Sequence, residues 1–100
     1  DHVVAVSDAW QKGAFKWDAV TRVQFYNDPL NLKATQQSLN SQKRDGDAAT
    51  WLPPLKSYRC AYVAQQIAVK AKYAIWVTKA EKEAMARILT ACPKQMLPTN

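Results

Sequence analysis

Between Tyr58 and Cys92 the apolar residues recur at helical spacing in two successive stretches, and a cysteine marks the outer end of each. In the first, Cys60, Ala64, Ile67, Ala71 and Ala74 share a stripe while Arg59, Gln66 and Lys70 fall off it, which predicts a helix from Tyr58 to about Ile75. The second begins at Thr78, where T-x-x-E with Glu81 forms a capping box that satisfies two otherwise orphaned backbone donors. Ala84, Met85, Ile88, Leu89 and Cys92 line its buried side, and Pro93 stops it. Cys60 opens one helix and Cys92 closes the other, so antiparallel packing brings the sulfurs together. A bridge there would stabilise the fold by roughly 3–4 kcal/mol in the chain-entropy model and would imply export to an oxidising compartment. The alternative is a pair of buried thiols in a cytosolic domain. The cysteines form no C-x-x-C pair and His2 is the sole histidine, which argues against a structural zinc site.

The remainder reads as one domain. A chain of 100 residues, 48% hydrophobic with four Trp and four Tyr, is globular and too short for two cores. No apolar run approaches the roughly 18–20 residues of a membrane span. The first residues do not read as a signal peptide, as expected of a mature or excised chain, and this leaves the compartment open. Residues 1–6 hold the β-branched Val3, Val4 and Val6 and suit a short strand or the last part of a longer one. Ser7 to Lys12 suits a short helix capped by Ser7 and ended by Gly13. Asp18 can cap a helix through about Tyr26, with Val20, Val23 and Tyr26 inward, before Asn27-Asp28-Pro29 breaks it. Leu30 to Thr35 reads as a second strand and Gln37 to about Arg44 as a helix, followed by a turn at DGD. The run WLPP at 51–54 is an ordered crossing loop packed by Trp51, with base stacking as that ring's alternative role. Trp10 and Trp17 are read as core or rim.

Fourteen Lys and Arg against eight Asp and Glu give a charge of +6. That balance favours polyanions, nucleic acid before an acidic membrane surface, although a merely soluble basic protein has the same charge. Cutting a phosphodiester requires a base for water, a cation for the phosphorane charge, and stabilisation of the leaving 3′ oxygen. Neutral imidazole suits the first task near neutral pH. A carboxylate and an amide oxygen are hard ligands suited to Mg²⁺. Neighbours on a strand point to opposite faces, so Asp1 and His2 could share a site only where the strand ends or twists.

The pair Asp1-His2, then Asn31-Leu32 opening a second strand, then S-L-N-S-Q-K in a following helix, resembles the HNH motif of the ββα-metal nucleases. Asn31 and Asn40 stand nine positions apart (40 − 31), the strand-to-helix step of that motif. The chain is most similar to a branch of secreted actinobacterial HNH nucleases in which Asn replaces the last His. The similarity is carried by DHVVAVSDAWQKG, NSQKRDGD, WLPP, CAYVAQQIAVK and AEKEAMARILTAC, and spans nearly the whole chain.

The resemblance implies an α+β fold: a small ββα-metal core over about 1–47, a crossing loop over 48–57, and a mostly helical elaboration ending in an antiparallel helix pair over about 58–92. It implies one divalent metal ion, Mg²⁺ first with Mn²⁺ or another divalent ion as alternates, on Asp1 and Asn40. His2 would be the general base and Asn31 would orient it through hydrogen bonds to backbone. Lys43, and after it Arg44, would approach a phosphate, although KRDGD stands where that branch has K-G-D. The family's first strand begins ahead of the D-H pair. A preceding segment of the same protein is therefore expected to complete it, and the present chain to be weakened by the α-amino charge beside Asp1.

The implied activity is hydrolysis of DNA, with RNA as the alternative, at weak sequence preference because such sites grip backbone phosphate. The product end would be a 5′-phosphate. The partner is nucleic acid, not a membrane, and no inhibitor protein is specified. Two other classes share these residues: a nucleic-acid-binding module with a degenerate site, and a protein-interaction domain. Metal-dependent cleavage separates them from the enzyme.

Overall fold

Side-chain caps and one covalent bond fix most of the helices. The computed structural model describes residues 2–33 and 43–99. Four α-helices are found among them: α1 (Val6–Gln11), α2 (Ala19–Tyr26), α3 (Arg59–Lys72) and α4 (Lys79–Thr90), with 3-10 turns at Ala14–Lys16, Pro29–Asn31 and Lys56–Tyr58. The Asp18 carboxylate accepts from Thr21 N and starts α2, and Thr78 with Glu81 forms the full capping box of α4. Cys60, in the first turn of α3, is bonded to Cys92 just beyond α4, with a Cα–Cα distance of 6.5 Å. The start of α3 therefore lies against the end of α4. Among the described residues no helix is long and apolar enough to cross a membrane.

Helix α3 serves two apolar clusters at once. Val69 and Tyr73, just past its end, pack with Val4, Ala9, Phe25, Leu30 and Ile75. Tyr62 and Val63 pack with Val3, Ala48 and Met85, and Trp51 and Leu52 close over them. Val3 and Val4 thus face opposite clusters, as neighbours on extended backbone must. The segment carrying His2 is wedged between the two halves of the core.

The helix faces differ from their expected ones. In α2 it is Phe25 that is buried, whereas Val20, Val23 and Tyr26 are 76%, 61% and 56% exposed. Phe25 wins because Trp17 and Tyr73 surround it at centroid distances of 5.3 and 5.2 Å. In α3, Gln66 and Lys70 are buried while Ala71 is exposed, as is Ala74, which lies beyond the helix end. The turn is about one residue away from the apolar stripe because polar partners wait inside for both side chains. Ser7 caps nothing: α1 starts one residue earlier, with Ala5 in the capping position.

Where strands were expected, over 1–6 and 30–35, the described residues hold one antiparallel bridge, His2 with Leu32. Val6 already opens α1, and Leu30 and Asn31 lie in a 3-10 turn. That turn has a local cause. The Asp28 carboxylate accepts from Leu30 N at 2.9 Å, and Pro29 fixes φ for its first position.

Candidate active site

Every backbone polar group from the His2 carbonyl to the Val4 carbonyl has a partner. Lys43 Nζ donates to the His2 carbonyl at 2.9 Å. Val3 N donates to the Asn31 carbonyl at 2.8 Å, and Gln66 Nε2 donates to the Val3 carbonyl at 2.5 Å. The buried Asn31 amide spans both groups of Val4, accepting from its N–H at 2.7 Å and donating to its carbonyl at 3.1 Å. These bonds reach across 27 to 63 residues of sequence. The segment is held by side chains that a strand partner's backbone would otherwise replace.

Asn31 is in turn set by the turn beneath it. Asp28, itself buried, accepts from Lys72 Nζ at 2.6 Å and Tyr73 Oη at 2.5 Å. Burial works against its charge, but these hydrogen bonds prevail and hold the carboxyl below its ordinary pKa. Gln65 Nε2 adds a bond to the Leu30 carbonyl at 2.8 Å. Gln65 and Gln66 escaped notice in the sequence because nothing local distinguishes them from ordinary polar residues, and Asp28 was legible there only as part of a helix break.

The imidazole is partly buried between its own segment and α2. Its Nε2 lies 2.8 Å from the Tyr26 carbonyl oxygen, and its ring is tilted over the Tyr26 ring at 4.7 Å. A carbonyl oxygen can only accept. The proton therefore sits on Nε2, and in the neutral ring Nδ1 carries the lone pair. A base so arranged can take a proton from water at Nδ1 while Nε2 stays anchored.

Lys43 is 4% exposed, so its ammonium faces His2 and not solvent. Burial lowers its pKa, opposed by the charge of Asp8. Arg44 is exposed, at a left-handed φ of 53°. Asp1 and Asn40, the expected metal ligands, lie outside the described residues, as does most of the helix expected over 37–44. Among the described residues no group of three or more His, Cys, Asp or Glu could hold a metal ion.

Beside this segment is a buried charge cluster the sequence did not announce. Lys12 Nζ lies 2.7 Å from Asp8, 2.6 Å from Asp47 and 2.7 Å from Glu81. Lys70 Nζ lies 2.9 Å from Asp8 and also binds Glu81. Burial disfavours the Lys12 ammonium, yet its bonds to Asp47, Asp8 and Glu81 outweigh this and raise its pKa well above the ordinary lysine value. The same contact with Lys12 outweighs burial at Asp47 and lowers its pKa. The cluster consumes acids inside the protein. At the surface of the described residues, ten Lys and Arg are then exposed against three acids, Asp18, Asp45 and Glu83. That is a stronger bias toward polyanions than the net charge suggests.

Residues 1–88 match the family described as GmrSD restriction endonucleases, C-terminal domain. The chain belongs to that family. It is thus a domain of a nuclease-related family. A relative of this GmrSD C-terminal domain is an uncharacterized secreted protein of Arthroderma benhamiae, 43% identical over 94 residues. The alignment covers 92% of this chain and 46% of the relative, so the domain spans about half of that protein's length. No solved structure matches it.

Proposed function

We propose that the domain is an HNH-type, metal-dependent endonuclease that hydrolyses DNA with weak sequence preference, RNA being the alternative polymer. The observation that carries this reading is His2: Nε2 is committed to the Tyr26 carbonyl, which leaves Nδ1 as a bare nitrogen at a partly exposed position. Asn31, Gln66 and Lys43 hold the backbone on which that ring stands. Asp1 and Asn40 would hold the divalent ion, Mg²⁺ before Mn²⁺, whose chemistry is to stabilise the phosphorane charge and the departing 3′ oxygen. His2 Nδ1 takes a proton from water as the water oxygen bonds to phosphorus. The P–O3′ bond breaks, and the phosphate stays on the 5′ end. The likeness to the secreted actinobacterial HNH branch, the Cys60–Cys92 bond and the secreted relative together support an exported enzyme.

Supercoiled plasmid with Mg²⁺ tests this. Cleavage is expected, lost with chelator, and lowered on the order of 10²–10⁴-fold in His2→Ala, the range for removing a general base. Unchanged nicking by His2→Ala of native circular dichroism would refute the role of His2. A second reading draws on the inward-facing Lys43, which leaves one fewer cation for phosphate: a binding module with a degenerate site. Plasmid retention without metal-dependent cleavage would select it.

A further inference from the structure

Three large aromatic residues stand half out of the surface in a row. Trp10, Phe15 and Trp76 are 48%, 43% and 48% exposed. The Trp10 and Phe15 ring centroids are 6.4 Å apart, and those of Phe15 and Trp76 are 6.1 Å apart. The row is built into the fold. Trp76 N donates to the Lys12 carbonyl at 3.0 Å, and Gly13, at φ 130°, lies so close that an added Cβ would sit 3.3 Å from the Trp76 ring. Only glycine combines that backbone with that approach.

Cations accompany the rings. Lys16 Nζ lies 5.6 Å from both the Phe15 and the Trp76 ring centres, and the Arg22 guanidinium lies 4.9 Å from that of Trp10. The row also leads toward His2. A cavity of about 220 Å³ is lined by Trp10, Arg22, Phe25 and Tyr26, and Tyr26 is the residue whose carbonyl and ring hold the imidazole. Aromatic faces interleaved with basic groups are the elements of a surface for unpaired nucleic acid: bases stack on rings, and phosphates meet the cations. Duplex bases are already stacked on each other and offer no face to these rings.

We propose that Trp76, Phe15, Trp10 and Tyr26, with Lys16 and Arg22, form a track that binds a single-stranded nucleic-acid segment and leads it to His2. The leading role rests on the endonuclease reading; the binding does not. The test uses the whole chain with chelator present, so that cleavage cannot interfere, and fluorescence anisotropy of a labelled oligothymidylate against a duplex of equal length at fixed salt. The single strand is expected to bind more tightly. Trp10→Ala and Trp76→Ala are each expected to weaken it at least about 5-fold, the lower bound of ~1 kcal/mol per stacked base. Should either truncation disturb folding, Lys16→Glu, at an exposed site, is expected to weaken binding and flatten its salt dependence. Equal affinity for both polymers, or unchanged binding in all three variants, would overturn the track. So would anionic vesicles whose binding is lost in Trp10→Ala while oligonucleotide binding persists, which assigns the surface to a membrane. Strand binding without metal-dependent cleavage leaves the track standing and defeats the endonuclease. Cleavage with track variants binding normally does the reverse.

Discussion

The two ends of this domain are specified in opposite ways. The C-terminal pair, α3 and α4, is written locally: a capping box at Thr78 and Glu81, a helical period, and cysteines at the outer ends that the fold joins. The segment from His2 to Val4 has almost no local instruction. It is fixed by Asn31, Lys43 and Gln66, each delivered from a distant stretch of chain. A chemically active side chain has to stand where several elements converge, and convergence is a long-range property. Gln66 of α3 bonds the Val3 carbonyl directly, and a second meeting point of the N-terminal half with the C-terminal pair is Glu81, which completes the capping box of α4 and also accepts from Lys12 of the segment following α1.

That meeting point gives the largest expected effect. Glu81→Ala removes a fully buried carboxylate and leaves two buried ammonium groups under-compensated, at an expected loss of about 3–5 kcal/mol in urea unfolding. A loss under ~1 kcal/mol would mean the cluster is hydrated in solution and does not couple the two regions. Replacing both cysteines by serine is expected to lower stability by roughly 3–4 kcal/mol, the chain-entropy value for a loop of this size. Below its melting transition that variant should keep the proposed nuclease activity, because no bond to the His2 segment is made by either cysteine. Activity lost from a folded double variant would break the division drawn here.

Asn31→Ala strikes the other region. It leaves the Val4 N–H and carbonyl unpaired, each worth about 1–3 kcal/mol when buried, and should reduce cleavage further than the unfolded fraction accounts for. Proportional losses of activity and folded protein would reduce Asn31 to a purely structural role. The smallest effect concerns pH. Asp28 and Asp47 both have folded pKa values below their ordinary 3.8, so their stabilisation is fully present above that value and disappears as pH falls through the lowered ones. Melting temperature should be level at mildly acidic pH and decline below about pH 4, the onset set by these two carboxylates. In Asp28→Asn the acid decline should be shallower.

Legibility in the sequence followed the same division. Asp18 as the cap of α2, Gly13 as the end of α1, the capping box and the cysteine pair were readable because each acts within a turn or two, or through a bond. The faces of α2 and α3 were not. Lys70 looks like a solvent-facing residue until Asp8 and Glu81 are placed beside it, and Val20 looks like core until Trp17 and Tyr73 claim Phe25 instead. At the candidate site, His2 and Asn31 were legible through a motif. Gln65 and Gln66, which help to orient them, were not, since an amide meeting a distant carbonyl leaves no periodic trace. Asp28 was legible only as part of a helix break, because its bonds to Lys72 and Tyr73 also come from far along the chain.

What the catalytic reading of this domain requires is a particular proton position on a single ring: hydrogen on the nitrogen facing α2, and none on the nitrogen offered to water. Because the chain has one histidine, nitrogen NMR of labelled protein reads this directly at a pH where the ring is neutral. Nε2 should be protonated and Nδ1 bare, and that balance should weaken in Asn31→Ala. A neutral ring carrying its proton on Nδ1 would contradict the catalytic reading.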